Sequence, residues 1–311
     1  MHALEVKNLS KRFGDVQAVD DASFVVPEGS IFGLIGRNGA GKTTTIRMMM
    51  NIYLPDSGEV ILRGAKVGQD FRSSVGYLPE ERGLYKKMKI IDLLMFFAEI
   101  KGKKGDNVKK RALDFLEKFS LTDRQNSKLE DLSKGNQQKV QFIATILHDP
   151  EFLVLDEPFT GLDPINIDIL KDIILQLKKA GKVIIFSTHL MDFAEKMCDH
   201  IAMIDNGKII LSGSLKELKG QHARRNISIK YEGDISFLND LPMVEKVTDF
   251  GNATGVRVKE PGQSQELLKL LVGKGVIVKS FNANEISLQE IFIEHAGSEE
   301  KEEKKSEVQY V

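Results

Sequence analysis

Over the first two thirds of the chain, short apolar runs alternate with stretches in which apolar residues recur every three or four positions. The runs at 31–35, 75–78, 152–155, 183–186 and 201–204 are rich in Ile, Val, Leu and Phe. They are too continuous for strands with one wet face and predict strands buried on both sides. Between about 89 and 147 the spacing turns helical. There Val140, Ile143, Ala144 and Leu147 fall at i, i+3, i+4 and i+7, one stripe of an amphipathic helix. Strands alternating with helices imply an α/β fold with a mostly parallel sheet, and the all-helical stretch is an insert within it.

The texture changes after about residue 211. Ser212-Gly213-Ser214 reads as a turn, followed by a short polar helix up to Arg225, and together they predict a linker. Beyond it, 226–231, 244–250, 255–259 and 276–281 predict strands, while 263–272 and 286–295 predict helices. That order suggests a small ferredoxin-like α+β domain. Residues 298–307 are almost wholly Glu and Lys, too polar to bury anything, and predict a disordered or frayed helical tail. The expected organisation is a first domain over 1–220 with its helical part at about 87–150, an accessory domain over 221–297, and a charged tail over 298–311.

Charge narrows the partners. Lys and Arg total 44 against 45 Asp and Glu, a net charge of −1, so no global field draws in polyanions and no nucleic-acid partner is expected. No apolar run approaches the roughly 20 residues that a bilayer span requires. Residues 1–13 carry Glu5, Lys7, Lys11 and Arg12 and lack the apolar core of a secretory signal. Cys198 is the single cysteine, which excludes an intramolecular disulfide and fits a reducing compartment. The expectation is an intracellular protein.

The chemistry starts at Gly36-Arg37-Asn38-Gly39-Ala40-Gly41-Lys42-Thr43, which matches G-x-x-x-x-G-K-[ST] between the run 31–35 and a helical segment reaching Met50. Glycines there let backbone N–H groups turn onto phosphate oxygens, and the helix N-terminus adds partial positive charge. Lys42 is placed for the β- and γ-phosphates and Thr43 for Mg²⁺, with Thr44 beside them. The run 152–155 ends in Asp156-Glu157. Ligands of open α/β sheets sit beyond the carboxyl ends of strands, so both acids are expected to face the nucleotide. Asp156 is placed to hold the metal, and Glu157 to orient or deprotonate water. Acids that simply end a buried strand are the other reading of this pair. Ser187-Thr188-His189 follows the run 183–186, which places His189 on the same rim, as a γ-phosphate contact or as a structural side chain.

A third element, Leu132-Ser133-Lys134-Gly135-Asn136-Gln137-Gln138-Lys139, opens the helix through Leu147. With the loop at 36–43, the acids 156–157, Gly161-Leu162-Asp163 and His189 in this order, the chain over about 3–220 resembles the ATP-binding cassette (ABC) ATPases. The resemblance implies a P-loop NTPase with a RecA-like sheet, an N-terminal antiparallel β subdomain and the helical insert. It implies ATP and Mg²⁺ as ligands and a head-to-tail dimer, homodimeric or with a close paralogue. In that dimer Ser133, Gly135 and Asn136 complete the partner's ATP site, from a helix N-terminus beginning near Asn136. Ser133 also reads as a plain N-cap, and Asp163 with Pro164 as N-cap and first residue of a helix over 165–177. Phe13 matches the position where the family stacks an aromatic ring on adenine, and is otherwise a core residue.

Three positions depart from the family pattern. Lys134 replaces Gly, Asn136 replaces Gln, and Glu80, in the loop after 75–78, replaces the Gln that faces Mg²⁺ and the attacking water. Glu80 is therefore a candidate metal ligand or a solvated turn residue. The segment Glu80-Glu81-Arg82-Gly83-Leu84-Tyr85 and the appended domain resemble ATPase subunits of ABC-2 type exporters, including the sodium-efflux group. The implied partner is an integral membrane permease on another chain, with this subunit peripheral at the cytoplasmic face. Leu84, Tyr85, Met88, Leu93 and Phe96 are the apolar residues expected near that contact. A soluble ABC ATPase working on ribosomes or DNA is the alternative, and one cassette with near-zero net charge argues against it.

Overall fold

The computed structural model describes residues 2–68, 71–81, 83–223, 226–251, 253–260, 262–283, 287–293 and 295. The chain divides into two compact units, Met1–Gly213 and Ser214–Val311.

The first unit opens with β1 (His2–Phe13), β2 (Val16–Pro27) and β3 (Ile31–Ile35), then α1 (Lys42–Met49), β4 (Ser57–Leu62) and β5 (Ala65–Lys66). Helix α2 (Phe71–Ser74) leads into β6 (Val75–Leu78), and α3 (Ile90–Ile100), α4 (Asp106–Lys118) and α5 (Lys134–Ile146) form the helical insert. The remainder is β7 (Phe152–Asp156), α6 (Pro164–Lys179), β8 (Val183–Thr188), α7 (Met191–Met197), β9 (His200–Asp205) and β10 (Lys208–Ser214).

Six strands form one sheet in the order β10-β9-β3-β8-β7-β6. Pairing is parallel between β3 and both β8 and β9, and between β7 and both β6 and β8. All five residues of β3 and of β7 are buried, as continuous apolar runs require. The register places Ile35 opposite Thr188 and Asp156 opposite Ser187, so the carboxyl ends of β3, β7 and β8 meet at one edge. A second, antiparallel sheet in the order β2-β1-β4-β5 supplies the N-terminal β subdomain. Every second residue from Ala22 to Val26 is buried in β2, and Phe24 stacks on Phe32 of β3 at 5.2 Å, which joins the two sheets.

The stretch expected to be helical contains three separate helices. Gly102 and Gly105 take φ of 73° and 100° between α3 and α4, and Ser120 takes φ of 54° after α4. Gly102 ends α3 and Gly105 caps the start of α4 at positive φ that glycine adopts freely, and Ser120 turns the chain away after α4. One expectation fails here: Ser212-Gly213-Ser214 is no linker turn but completes the edge strand β10. An edge position tolerates glycine, because only one side of the strand must be paired.

The second unit contains α8 (Leu215–Ala223), β11 (Asn226–Glu232), β12 (Val244–Asp249), β13 (Thr254–Val258), α9 (Ser264–Gly273) and β14 (Ile277–Asn282). Its sheet runs β12-β13-β11-β14 with every neighbouring pair antiparallel. This is the ferredoxin-like order, with its first crossover reduced to a short 3₁₀ segment at Ser236–Asp240. Ile227, Ile229, Leu238, Val256, Val258, Leu267 and Leu271 form the core. Residues 288–293 are helical, within the final helix expected from sequence. Arg225, Ile286, Glu294 and the charged tail at 298–311 lie outside the described residues.

Candidate active site

The loop between β3 and α1 is built by close backbone approach. A Cβ on Gly36 would meet the Ile204 carbonyl oxygen at 2.3 Å, and one on Gly41 the Ala18 carbonyl oxygen at 2.5 Å. Gly41 also takes φ of 108°, so both positions require glycine. The Gly207 N–H donates to the Ala40 carbonyl at 3.0 Å, tying the loop to the β9–β10 turn. Lys42 is the first residue of α1 and is only 6% exposed. Its ammonium donates to the carbonyls of Gly36 at 2.9 Å and Arg37 at 3.0 Å, and it lies 3.4 Å from Glu157 Oε1.

The two acids differ in setting. Asp156 is fully buried at the end of β7 and accepts a 2.5 Å hydrogen bond from the Ser187 hydroxyl at Oδ1, while Oδ2 has no partner. Burial raises its pKa above the usual carboxylate value, against the bonds from Ser187 and Thr43, and the Glu157 charge adds to the rise. Glu157 holds φ of 49°, unusual for a non-glycine residue, and its N–H donates to the same Ser187 oxygen at 3.0 Å. That conformation turns its carboxylate to face His189 Nδ1, 3.0 Å from each oxygen.

A cavity of about 560 Å³ opens beside this cluster. Of the residues expected at the site, Asn38, Gly39, Gly41, Lys42, Thr43, Thr44, Glu80 and Glu157 line it. Gly36, Arg37 and Ala40 act from behind the wall through their carbonyls. Gln17, Asn206 and Gly207 also line the cavity, and sequence reasoning missed them because they reach it from β2 and the β9–β10 turn. Ser187, which bridges the two acids, was equally missed, because only the register between β8 and β7 puts it opposite Asp156.

Phe13 is no core residue: it is 44% exposed and meets the Tyr53 ring edge-on at 5.4 Å. Ser133, Gly135 and Asn136 are not among the residues that line the cavity. Helix α5 begins at Lys134 rather than near Asn136, since the Ser133 hydroxyl caps it by accepting from the Asn136 N–H at 3.3 Å. Asp163 caps α6, accepting from the Asn166 N–H at 3.0 Å, with Pro164 in its first turn. Leu93, expected at a contact surface, is fully buried, whereas Tyr85 and Phe96 are exposed and pack edge to face at 5.6 Å. Beside them, Leu84, Phe97, Gln141 and His148 line a groove of about 300 Å³.

A glycine-cradled lysine at the head of a helix, with a buried acid pair beyond the neighbouring strand ends, defines a P-loop nucleoside triphosphatase. Comparison with known proteins takes this further. The ABC transporter family profile matches residues 19–160, and the C-terminal domain profile of ATP-binding protein DrrA1-3-like proteins matches 213–296. The chain is 41% identical over 295 residues to the uncharacterized ABC transporter ATP-binding protein YhaQ of Bacillus subtilis, covering 95% of this chain and 99% of that one. It is 32% identical over 301 residues to the Nod factor export ATP-binding protein I of Cupriavidus metallidurans, covering 95% and 98%. A solved ATP-binding subunit of an ABC transporter shares 33% identity and a TM-score of 0.66, over 71% of this chain and 93% of that one. The chain belongs to the ABC transporter family, as an ATP-binding subunit with the ATPase activity of that family.

Proposed function

We propose that this protein powers an ABC-2 type exporter as its peripheral ATPase. Two relatives at 32% and 34% identity are named for Nod factor export and for linearmycin resistance, which supports the export direction. Among the described residues no helix is long and apolar enough to cross a membrane. On the family resemblance we assign the transport path to a permease on another chain and place this subunit at the cytoplasmic face of the membrane. The groove lined by Leu84 and Phe97, with Tyr85 and Phe96 exposed nearby, is the contact we assign to that permease. On this reading residues 1–220 are the ATPase domain, with its helical part at about 87–150, and 221–297 an accessory domain.

The observation that carries the chemical reading is the buried cluster of Lys42, Asp156 and Glu157 at one sheet edge, with the exposed His189 ring against Glu157. Backbone N–H groups of the glycine loop and the Lys42 ammonium hold the ATP phosphates, and Phe13 stacks on the adenine. Glu157 takes the proton of the attacking water, with His189 fixing the direction of its carboxylate. The unpartnered Asp156 Oδ2 fits a cation that Thr43, Asp156 and Glu80 would hold. Mg²⁺ there would neutralise charge on the phosphates. The phosphates and water would supply the remaining ligands. Ser133, Gly135 and Asn136 act on the nucleotide of a second subunit in a head-to-tail dimer, a reading in keeping with the lining of this chain's own cavity, which does not include them.

Mixed dimers test this. A Lys42→Ala chain mixed with a Ser133→Ala chain leaves one site with both residues intact, so mixing restores part of the activity that each variant lacks alone. If Ser133 acts on its own chain's nucleotide, mixing restores nothing.

A further inference from the structure

The loop 79–81 after β6 is held from two sides. From α1, Arg47 Nη2 donates to Glu81 Oε1 at 3.1 Å, while Nη1 donates to the Tyr53 hydroxyl at 3.0 Å. The guanidinium also lies over the Tyr53 ring, 5.6 Å from its centre, so its direction is set before it reaches Glu81. From α5, Gln141 donates through Nε2 to the carbonyls of Pro79 and Glu81, each at 3.2 Å. Gln141 is 3% exposed and its Oε1 has no partner. Two carbonyls cannot accept from an oxygen, so the loop itself dictates which way this buried amide faces. Glu80 stands between the two anchored residues and lines the cavity that holds Lys42 and Glu157.

We propose that Arg47 and Gln141 are positioning residues that set the reach of Glu80 toward the nucleotide phosphates. The two helices that carry them start at the phosphate loop and at Ser133, which on that reading serve the two different ATP sites of the dimer, so one carboxylate is tied to both sites. The anchors are unequal. Glu81 is 81% exposed, and an ion pair so open to water is weak. The Gln141 amide is shielded, and releasing it frees two carbonyls at once. Gln141 therefore carries the larger share. The inference rests on the reading of Glu80 as a ligand near the metal, and the experiment separates the two.

Full-length Gln141→Leu, Arg47→Gln and Glu80→Gln proteins are compared by the Mg²⁺ concentration at half-maximal ATPase rate and by amide exchange over 80–85. The Mg²⁺ requirement rises about three- to tenfold in Gln141→Leu and about twofold in Arg47→Gln, with kcat at saturating Mg²⁺ little changed. Exchange quickens in the same order. Combining Arg47→Glu with Glu81→Arg restores the parental Mg²⁺ curve that each single reversal shifts. A loss of kcat without a shift in the Mg²⁺ midpoint, or unchanged exchange in Gln141→Leu, overturns the proposal. If Glu80→Gln alone leaves the Mg²⁺ curve unmoved while loop exchange quickens in the other two, the clamp stands and the metal reading of Glu80 falls.

Discussion

In the first unit, the edge where β3, β7 and β8 end gathers Lys42, Asp156, Glu157, Ser187 and Thr188, each at most 6% exposed. In the second unit, Thr254 is the one polar side chain buried to that degree among the described residues, and the sheet is otherwise packed with Ile, Leu and Val. The second sheet buries alternate residues of β11 and β13 and none of β12 or β14, and only the first sheet places charge where burial opposes it. Asp156 with a raised pKa and an unpartnered oxygen, and Glu157 at a positive φ, are both unfavourable for stability. Such features persist where the surroundings fix them for chemistry, whereas the second sheet shows what a strand set looks like when packing alone decides.

The largest effect that can break this comparison is at Glu157. Glu157→Gln keeps ATP binding and lowers hydrolysis by about 10²–10⁴-fold, because only the proton acceptor is lost. Phosphate release alongside calorimetric titration checks it, and a parental rate removes Glu157 from its role. The counterpart in the second unit is Ile229, fully buried beside Val256 and Leu267. Ile229→Ala costs about 2–5 kcal/mol through the cavity it leaves. A melting transition assigned to the second unit moves down while ATP affinity stays put. Loss of ATP affinity in this variant would erase the division of labour between the units.

Lys42→Ala removes a charge-assisted phosphate contact worth roughly 1.5–3 kcal/mol, so ATP binds about ten- to a hundredfold more weakly. Unchanged affinity by calorimetry sinks the phosphate-loop assignment. Asp156→Asn has a smaller and opposite effect on the fold. The folded-state pKa of Asp156 lies above its unfolded value, so the folded protein retains the proton longer and stability falls as pH rises through that window. At neutral pH the ionised group is a net cost. Its neutral isostere therefore raises the melting temperature by roughly 2–4 °C, about 1 kcal/mol for a domain of this size, while hydrolysis is lost. A lower melting temperature in Asp156→Asn contradicts the account.

Most of the first unit was legible in sequence because buried parallel strands leave unbroken apolar runs: 31–35 and 75–78 match β3 and β6 residue for residue. The glycine loop and the acid pair were legible for the same reason, since each follows such a run. What stayed hidden depends on contacts between distant segments. Ser187 gains its place only through the register with β7, and Asn206 and Gly207 reach the cavity only through the turn after β9. Ser212-Gly213-Ser214 misled because local turn preference was outweighed by pairing along an edge strand. The start of α5 was misplaced by two residues because the cap at Ser133 is a hydrogen bond, not a hydrophobic period.

The smallest effect sharpens the comparison inside the first unit itself, at a buried titratable group away from the strand-end cluster. His148 is 6% exposed and lines the groove with Phe97, Lys101 and Thr145. Burial lowers its pKa to about 4, and the charges of Lys101 and Lys103 push the same way against Asp149 and the Val75 carbonyl. An unfolded histidine titrates near about 6.5. Between those values the unfolded chain binds a proton that the folded chain refuses, so stability is full above about 6.5 and is lost as pH falls toward about 4. This is the reverse of Asp156, whose contribution declines as pH rises. His148→Leu, close in volume and without a charge to gain, leaves the melting temperature at pH 7 within a few degrees and flattens its decline across that acid window. All other titrating groups are shared by the two proteins, so the difference between their melting curves isolates His148. Parallel curves from pH 6.5 to 4 would show that the ring is protonated as readily in the fold as in water, and the groove would then be wetter than its lining residues imply.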